Sequence, residues 1–243
     1  MSQTEARLEF LLPDEIRGRL ADRSVVYLPL GTIEWHCEHL PVGLDGLTAH
    51  GVCLGAATQD GGVVYPTLYF GTGGGHSLYP WTVMMDSERE IGGEIEKALG
   101  RLQDFGVRLA VLFSGHFAPG QLSMIDEIAQ GWIASGRSMK VIATAVNRIE
   151  GLPFGPDHAG VFETTLLGGL WPDRVQINRL PSVETAPLAP DDVWEAGRHD
   201  PKHPLWGVIG ADPRNYDAHQ GPPLVAACTK WLIDRVQTEL SGA

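Results

Sequence analysis

The sequence predicts an α/β protein, a three-layer α/β/α arrangement around a mostly parallel sheet. Three observations carry this. Val25–Leu30, Val107–Phe113 and Lys140–Val146 are nearly unbroken apolar runs of strand length, the pattern of strands covered on both faces. Amphipathic or apolar stretches of helical length alternate with them, and Pro119–Ala134 lies between two of the runs at the spacing of a right-handed parallel crossover. Polar, potentially ligating residues follow the ends of these runs, where open α/β sheets place their ligands.

Each element has its own signal. Leu12–Asp22 reads as an entry helix, with Pro13 in the first turn and Leu12, Ile16 and Leu20 spaced four apart on one face. The strand Ser24–Leu30 follows and Gly31 ends it. Thr48–Thr58, rich in Ala, Leu and Gly, reads as a short helix packed on the sheet, broken by Gly61 and Gly62. Val63–Phe70 is a second strand, and Pro66 confines it to an edge or a strand end. Gly71–Thr82 is a flexible loop. It lacks the Gly-Lys-Ser/Thr ending of a phosphate cradle. Ser87 and Glu90 form a capping box before a helix whose apolar side carries Ile91, Ile95, Leu99, Leu102 and Phe105. A short helix runs from about Glu163 to Leu170, Pro172–Pro204 is an irregular surface excursion, and a last helix spans Pro222–Leu240 with Leu224, Cys228, Trp231 and Val236 inward.

Function is concentrated after the first strand. Glu34, His36, Glu38, His39 and Asp45 give a density of oxygen and imidazole donors that a solvated loop does not need. In extended chain, residues two apart share a side, so Glu34 and His36 reach one point while Trp35 faces away. That is the geometry of metal ligands. His116 lies beyond the run ending at Phe113, at another strand's carboxyl end.

The stretch GTIEWHCEHLPVGLD resembles the signature of the creatininase (creatinine amidohydrolase) family, a Gly-Ser/Thr-x-Glu-x-His-Gly-x-His-Leu-Pro segment followed by an Asp. Cys37 stands where that family usually has Gly, and Leu44-Asp45 where it often has Thr-Asp. His76 belongs to a segment similar to the family's His-Ser-x-x-Pro-x-Thr and reads either as a substrate contact or as a surface-loop histidine. The family's Asn-Gly-His-Gly-Gly-Asn becomes Ser114-Gly115-His116-Phe117-Ala118-Pro119, which keeps the histidine and loses both amides. Creatininases proper place a ligand Glu two residues after this histidine, where this chain has Ala118. Asp157–Thr165 is similar to the family's Asp-x-His-Ala-Gly-x-x-Glu-Thr-Ser pattern, and there Glu163 is the candidate replacement ligand. Taken alone, Glu163 reads better as a carboxylate complementing a helix dipole and Asp157 as a cap, and the other two motifs turn the reading toward a site. Leu205–Pro213 resembles a further family segment, with Trp206 either covering a ligand or lying in a plain turn.

The resemblance spans most of the chain. It implies one or two divalent ions (zinc, manganese or iron) held by Glu34, His36, Asp45, His116 and Glu163, with Asp45 bridging if there are two, and mixed imidazole and carboxylate ligands suit all three metals. His158 is then the acid/base. The implied reaction is hydrolysis of a C–N amide bond in a small, cyclic substrate. The alternatives are a hydrolase acting on a keto-sugar or keto-inositol ring, and a non-catalytic metal- or metabolite-binding member. The lost glutamate makes creatinine itself a poorer candidate.

Composition narrows the partners. A net charge of −12 over 243 residues, pI near 5.1 and no Lys/Arg-rich run argue against nucleic acid and anionic membranes. No apolar run approaches the roughly 20 residues of a membrane span, and the start MSQTEARLEF lacks the pattern of a secretory signal. A cytoplasmic protein is expected. Three cysteines without a Cys-x-x-Cys spacing indicate neither a disulfide framework nor a thiolate zinc site, and Cys37 reads as a small buried side chain. The length suits one domain, residues 1–243, and tryptophans in loops point to a homo-oligomer.

Overall fold

The computed structural model describes residues 5–74, 78–85, 87–188 and 196–241. Its centre is a four-stranded parallel sheet of β1 (Val25–Leu30), β2 (Val63–Val64), β3 (Leu109–Ser114) and β4 (Lys140–Ala145), in the order β2-β1-β3-β4. Both central strands are buried along their whole length. Burial on two faces is why these runs show no polar alternation.

The pleat divides their side chains between two apolar layers. Val25, Tyr27, Val111 and Phe113 pack against α2 (Leu44–Asp60), α5 (Val161–Leu170) and α6 (Gly221–Ser241). Val26, Leu28, Ala110 and Leu112 face α3 (Glu88–Asp104) and α4 (Pro119–Ala134) through Ile91, Ile95, Leu99, Met124, Ile125 and Ile128. The three-layer arrangement expected from the sequence is the one observed.

Four expectations need correction. The helix expected over Thr48–Thr58 begins four residues earlier, at Leu44, so Asp45 stands on its first turn and not in a loop. An acidic side chain in the first turn favours a helix start there. The strand expected over Val63–Phe70 shortens to Val63–Val64, with one isolated bridge between Leu30 and Leu68. Pro66 lacks the N–H that a continuous ladder needs. The entry helix is α1 (Pro13–Asp22); none of its residues is fully buried, and Leu12 is 67% exposed at its N-cap. Phe105 is exposed as well, because it caps α3 beyond the last full turn. Ser87 does cap α3, its hydroxyl accepting from Glu90 N at 3.3 Å.

Among the described residues no helix is long and apolar enough to cross a membrane. Phe113 is wholly buried in the layer under α2 and α6. Replacing it with alanine is expected to destabilise the protein by about 3–5 kcal/mol. Urea unfolding checks this, and a loss under about 1 kcal/mol would show that the layer collapses into the void.

Candidate metal centre

Leu30 and Ser114 are paired at the carboxyl ends of the two central strands, and the next few residues of each strand face one another. Between them sits the start of α2. Gly31 and Gly115 admit it: a β-carbon on Gly31 would lie 2.2 Å from the Gly46 nitrogen, and one on Gly115 2.0 Å from the Asp45 carbonyl oxygen. These close approaches place the Asp45 side chain over the sheet edge.

The Asp45 carboxylate divides between two histidines. Oδ1 is 3.2 Å from His36 Nε2, and Oδ2 is 3.3 Å from His116 Nδ1. Glu34 Oε2 is 3.0 Å from His116 Nδ1, and Glu163 Oε2 is 3.6 Å from His36 Nε2. Two groups of potential ligands result: Glu34, Asp45 and His116, and His36, Asp45 and Glu163, with the ligand atoms of each group within 4.8 Å of one another. All five residues are buried.

Backbone carbonyls set the imidazoles. His36 Nδ1–H donates to the Glu34 carbonyl at 2.9 Å, which turns Nε2 toward Asp45 and Glu163. His116 Nε2–H donates to the Thr72 carbonyl at 3.2 Å, which turns Nδ1 toward Asp45 and Glu34. A carbonyl holding the far nitrogen is how proteins fix the tautomer of a metal-binding histidine. His36 Nε2 and Asp45 Oδ2 are buried with no hydrogen-bond partner among the described residues. A buried polar atom without a partner is costly, and a cation between the two groups would satisfy both.

The electrostatics agree. Burial by itself depresses both imidazoles, but the carboxylates of Asp45, Glu163 and Glu34 outweigh it at His36, and those of Asp45 and Glu34 at His116, so each is held up at about 10. Burial opposes ionisation of Asp45 too, yet His36 and His116 pull it below its ordinary range, while burial leaves Glu163 well above it. The Asp45 carboxylate and the imidazolium forms of His36 and His116 thus stabilise one another, while burial favours the neutral form of Glu163. Imidazole and carboxylate donors in two clusters fit divalent zinc, manganese or iron.

The clusters open into a cavity of about 290 Å³, lined among others by Glu34, Asp45, His116, Ala118, His158 and Glu163. A larger crevice of about 900 Å³ lies between α1 and α3, but its floor is apolar and its Arg17, Lys97 and Arg101 are paired with acidic neighbours. Among the described residues no group of potential ligands converges there, so the smaller cavity is the candidate site.

The sequence matches the family model described as Creatininase: Creatinine amidohydrolase over residues 11–236. The chain belongs to the creatininase family. It is 26% identical over 241 residues to the creatinine amidohydrolase of Pseudomonas putida, covering 90% of this chain and 91% of that one. It is 27% identical over 238 residues to the mycofactocin precursor peptide peptidase of Mycolicibacterium smegmatis, covering 88% and 84%. A crystal structure of creatinine amidohydrolase (creatininase) superposes with a TM-score of 0.75 at 26% identity, over 97% of this chain and 98% of that one. This chain is therefore a creatininase-family hydrolase.

Other expected site residues fall as follows. Trp35 points away from the clusters, stacking on Trp206 with ring centroids 5.2 Å apart and donating from Nε1 to its carbonyl. Trp206 also packs on Tyr79 and is not among the described residues that line the cavity. His76 lies outside the described residues. Ala118 lines the cavity wall and offers no donor. Cys37 is buried at φ 58°, the left-handed region in which glycine is at ease, matching the glycine usual in the resembled segment. Its thiol is pushed up to about 11 by burial, which disfavours the thiolate a nucleophile needs.

Sequence reasoning missed the supports. Gln121 braces the segment around His116: its Nε2 donates to Ser114 Oγ at 3.3 Å and its Oε1 accepts from Thr72 N at 3.1 Å, while Ser114 Oγ donates to the His116 carbonyl. His39 joins neither cluster; its Nε2 meets Thr164 Oγ1 at 3.1 Å, beside Glu163 on α5. Burial lowers His39 to about 3, so it is neutral.

His36 and His116 sit above the roughly 6.5 of an unfolded histidine. In metal-free protein their stabilisation is complete below about pH 6.5 and is lost as pH rises through about 10. The urea midpoint of metal-stripped protein is therefore expected to fall between pH 7 and 10. A flat or rising midpoint would contradict this electrostatic account.

Proposed function

We propose that this chain is a metal-dependent amidohydrolase, with Glu34, Asp45 and His116 holding one divalent ion, His36, Asp45 and Glu163 a second, and Asp45 shared. The observation that carries this reading is the division of one buried carboxylate between two oppositely directed histidines. One relative is named an amidohydrolase and another a peptide peptidase, and both names denote hydrolysis of a C–N amide bond. A cavity of about 290 Å³ suits a small substrate, a compact ring included.

When bound, divalent ions supply Lewis-acid polarisation of a carbonyl and make water a nucleophile near neutral pH. The chain supplies the rest. His158 stands in the cavity wall with its ring centroid 4.5 Å from that of His36. Its Nε2–H donates to the Trp35 carbonyl at 2.9 Å, which makes Nδ1 the basic nitrogen of the neutral ring. In this reading Nδ1 takes the proton of the attacking water and returns it to the leaving amine. Backbone bonds in both directions with Ile209, each 2.8 Å, hold His158 in place.

His158 is also close enough to Glu34 and His36 to complete a third group of potential ligands, so its role needs a test that separates proton transfer from ligation. His158→Ala is expected to lower turnover by about 10²–10⁴-fold with metal content unchanged, while Glu34→Gln combined with His36→Ala abolishes metal binding. Metal analysis with assays on cyclic amides, short peptides and keto-sugar rings, with and without chelator, decides. A metal-depleted His158→Ala makes His158 a ligand, full metal content in the double variant ends the metal reading, and turnover confined to keto rings ends the amide reading.

We also propose one domain over residues 1–243, a cytoplasmic location and a homo-oligomer. Phe70, Leu78, Trp81 and Val83 are all more than half exposed along one loop region, more clustered apolar surface than isolated exposed residues account for. Light scattering is expected to show a multiple of the 26.3 kDa chain mass. A monomer at all concentrations would refute the assembly.

A further inference from the structure

Asp157 is a buried carboxylate with no part in the chemistry above. It is 7% exposed and lines the same cavity as Glu163, yet both its oxygens are turned to the backbone at the start of α5. Oδ1 accepts from Gly160 N at 3.1 Å and Glu163 N at 3.2 Å, and Oδ2 accepts from Phe162 N at 2.9 Å. The N-cap position is Gly160, which has no side chain to offer. Without Asp157 these amides at the buried start of α5 would lose the acceptor that a helix start needs.

The surroundings leave room for this one carboxylate. A β-carbon on Gly210, at φ 138°, would stand 2.4 Å from Asp157 Cβ. Glu163 answers by folding back, its Oε2 accepting from Ala159 N at 2.6 Å. Asp157 thus holds the Glu163 backbone while Glu163 holds Ala159, and the closed turn keeps Ala159 at φ 55°, a conformation costly for a residue with a β-carbon. Oε2 is also the atom 3.6 Å from His36 Nε2.

We propose that Asp157 is a positioning residue that, by capping α5, sets where Glu163 Oε2 stands and so sets the affinity of the His36–Asp45–Glu163 group for its ion, leaving the Glu34–Asp45–His116 group untouched. This rests on Glu163 being a ligand, as proposed above. Residues that orient metal ligands from behind typically change metal affinity by about 10–100-fold when removed.

The test is zinc titration of metal-stripped full-length protein against a competing chelator. Two binding steps are expected for the unchanged chain. Asp157→Ala should weaken one step by about 10–100-fold and leave the other as it was. Asp157→Asn, which keeps an acceptor, should fall between. Glu163→Gln should remove the same step. If Asp157→Ala keeps both steps while Glu163→Gln loses one, the positioning role is wrong and the ligand assignment stands. If Glu163→Gln keeps both, the ligand assignment itself fails. Equal weakening of both steps by Asp157→Ala, or its unfolding by circular dichroism alongside an Asn variant with unaltered zinc affinities, would reduce Asp157 to a general structural role and overturn the proposal.

Discussion

The carboxylate of Asp45 is the point on which the rest of this structure depends. It is 1% exposed, and its two oxygens are drawn to imidazoles that arrive from the ends of two different strands. Burying a carboxylate is expensive unless it is paired. The pairing requires α2 to start against the sheet edge, which in turn requires Gly31 and Gly115 beneath it. Parallel strands β1 and β3 end in register at Leu30 and Ser114, so Glu34 and His36 on one side and His116 on the other reach the same carboxylate. The fold places this site by the simplest means a parallel sheet has, at its carboxyl edge.

Much of this was legible in the sequence, and the physical reason is that strongly buried elements leave strong patterns. Val25–Leu30 and Leu109–Ser114 are apolar because both faces are covered, and Pro119–Ala134 could only be a crossover between parallel strands. Glu34, His36 and His116 stood out because donors cluster just past strand ends. What stayed hidden depended on contacts far apart in sequence. The helix that carries Asp45 starts four residues before the Ala-, Leu- and Gly-rich stretch that marked it. Gln121 braces Ser114 beside His116 through a contact that spans seven residues and a turn. His39, which looks like a ligand in a row of donors, faces Thr164, 125 residues away.

The far wall of the site is where this chain departs from the pattern it resembles. Ala118 lines this wall without offering a side-chain donor, and Glu163 stands on α5 with its Oε2 3.6 Å from His36 Nε2. A carboxylate brought in on a helix depends on how the helix start is held. That start is fixed by Asp157 on its amides and by His39 on Thr164, two polar contacts made inside the protein where their loss is not offset by water. Phe117, Ala118, Pro119, Pro156 and His158 line the same cavity.

Asp45→Asn measures the central claim most directly, because a shared ligand and an ordinary one differ in how many ions their loss removes. Metal content of the purified variant, by elemental analysis beside Glu34→Gln and the unchanged protein, gives the answer. A carboxylate common to both groups predicts that Asp45→Asn loses both equivalents, whereas Glu34→Gln loses one. Asp45→Asn retaining as much metal as Glu34→Gln would contradict the account, since each ion would then be held without a common carboxylate.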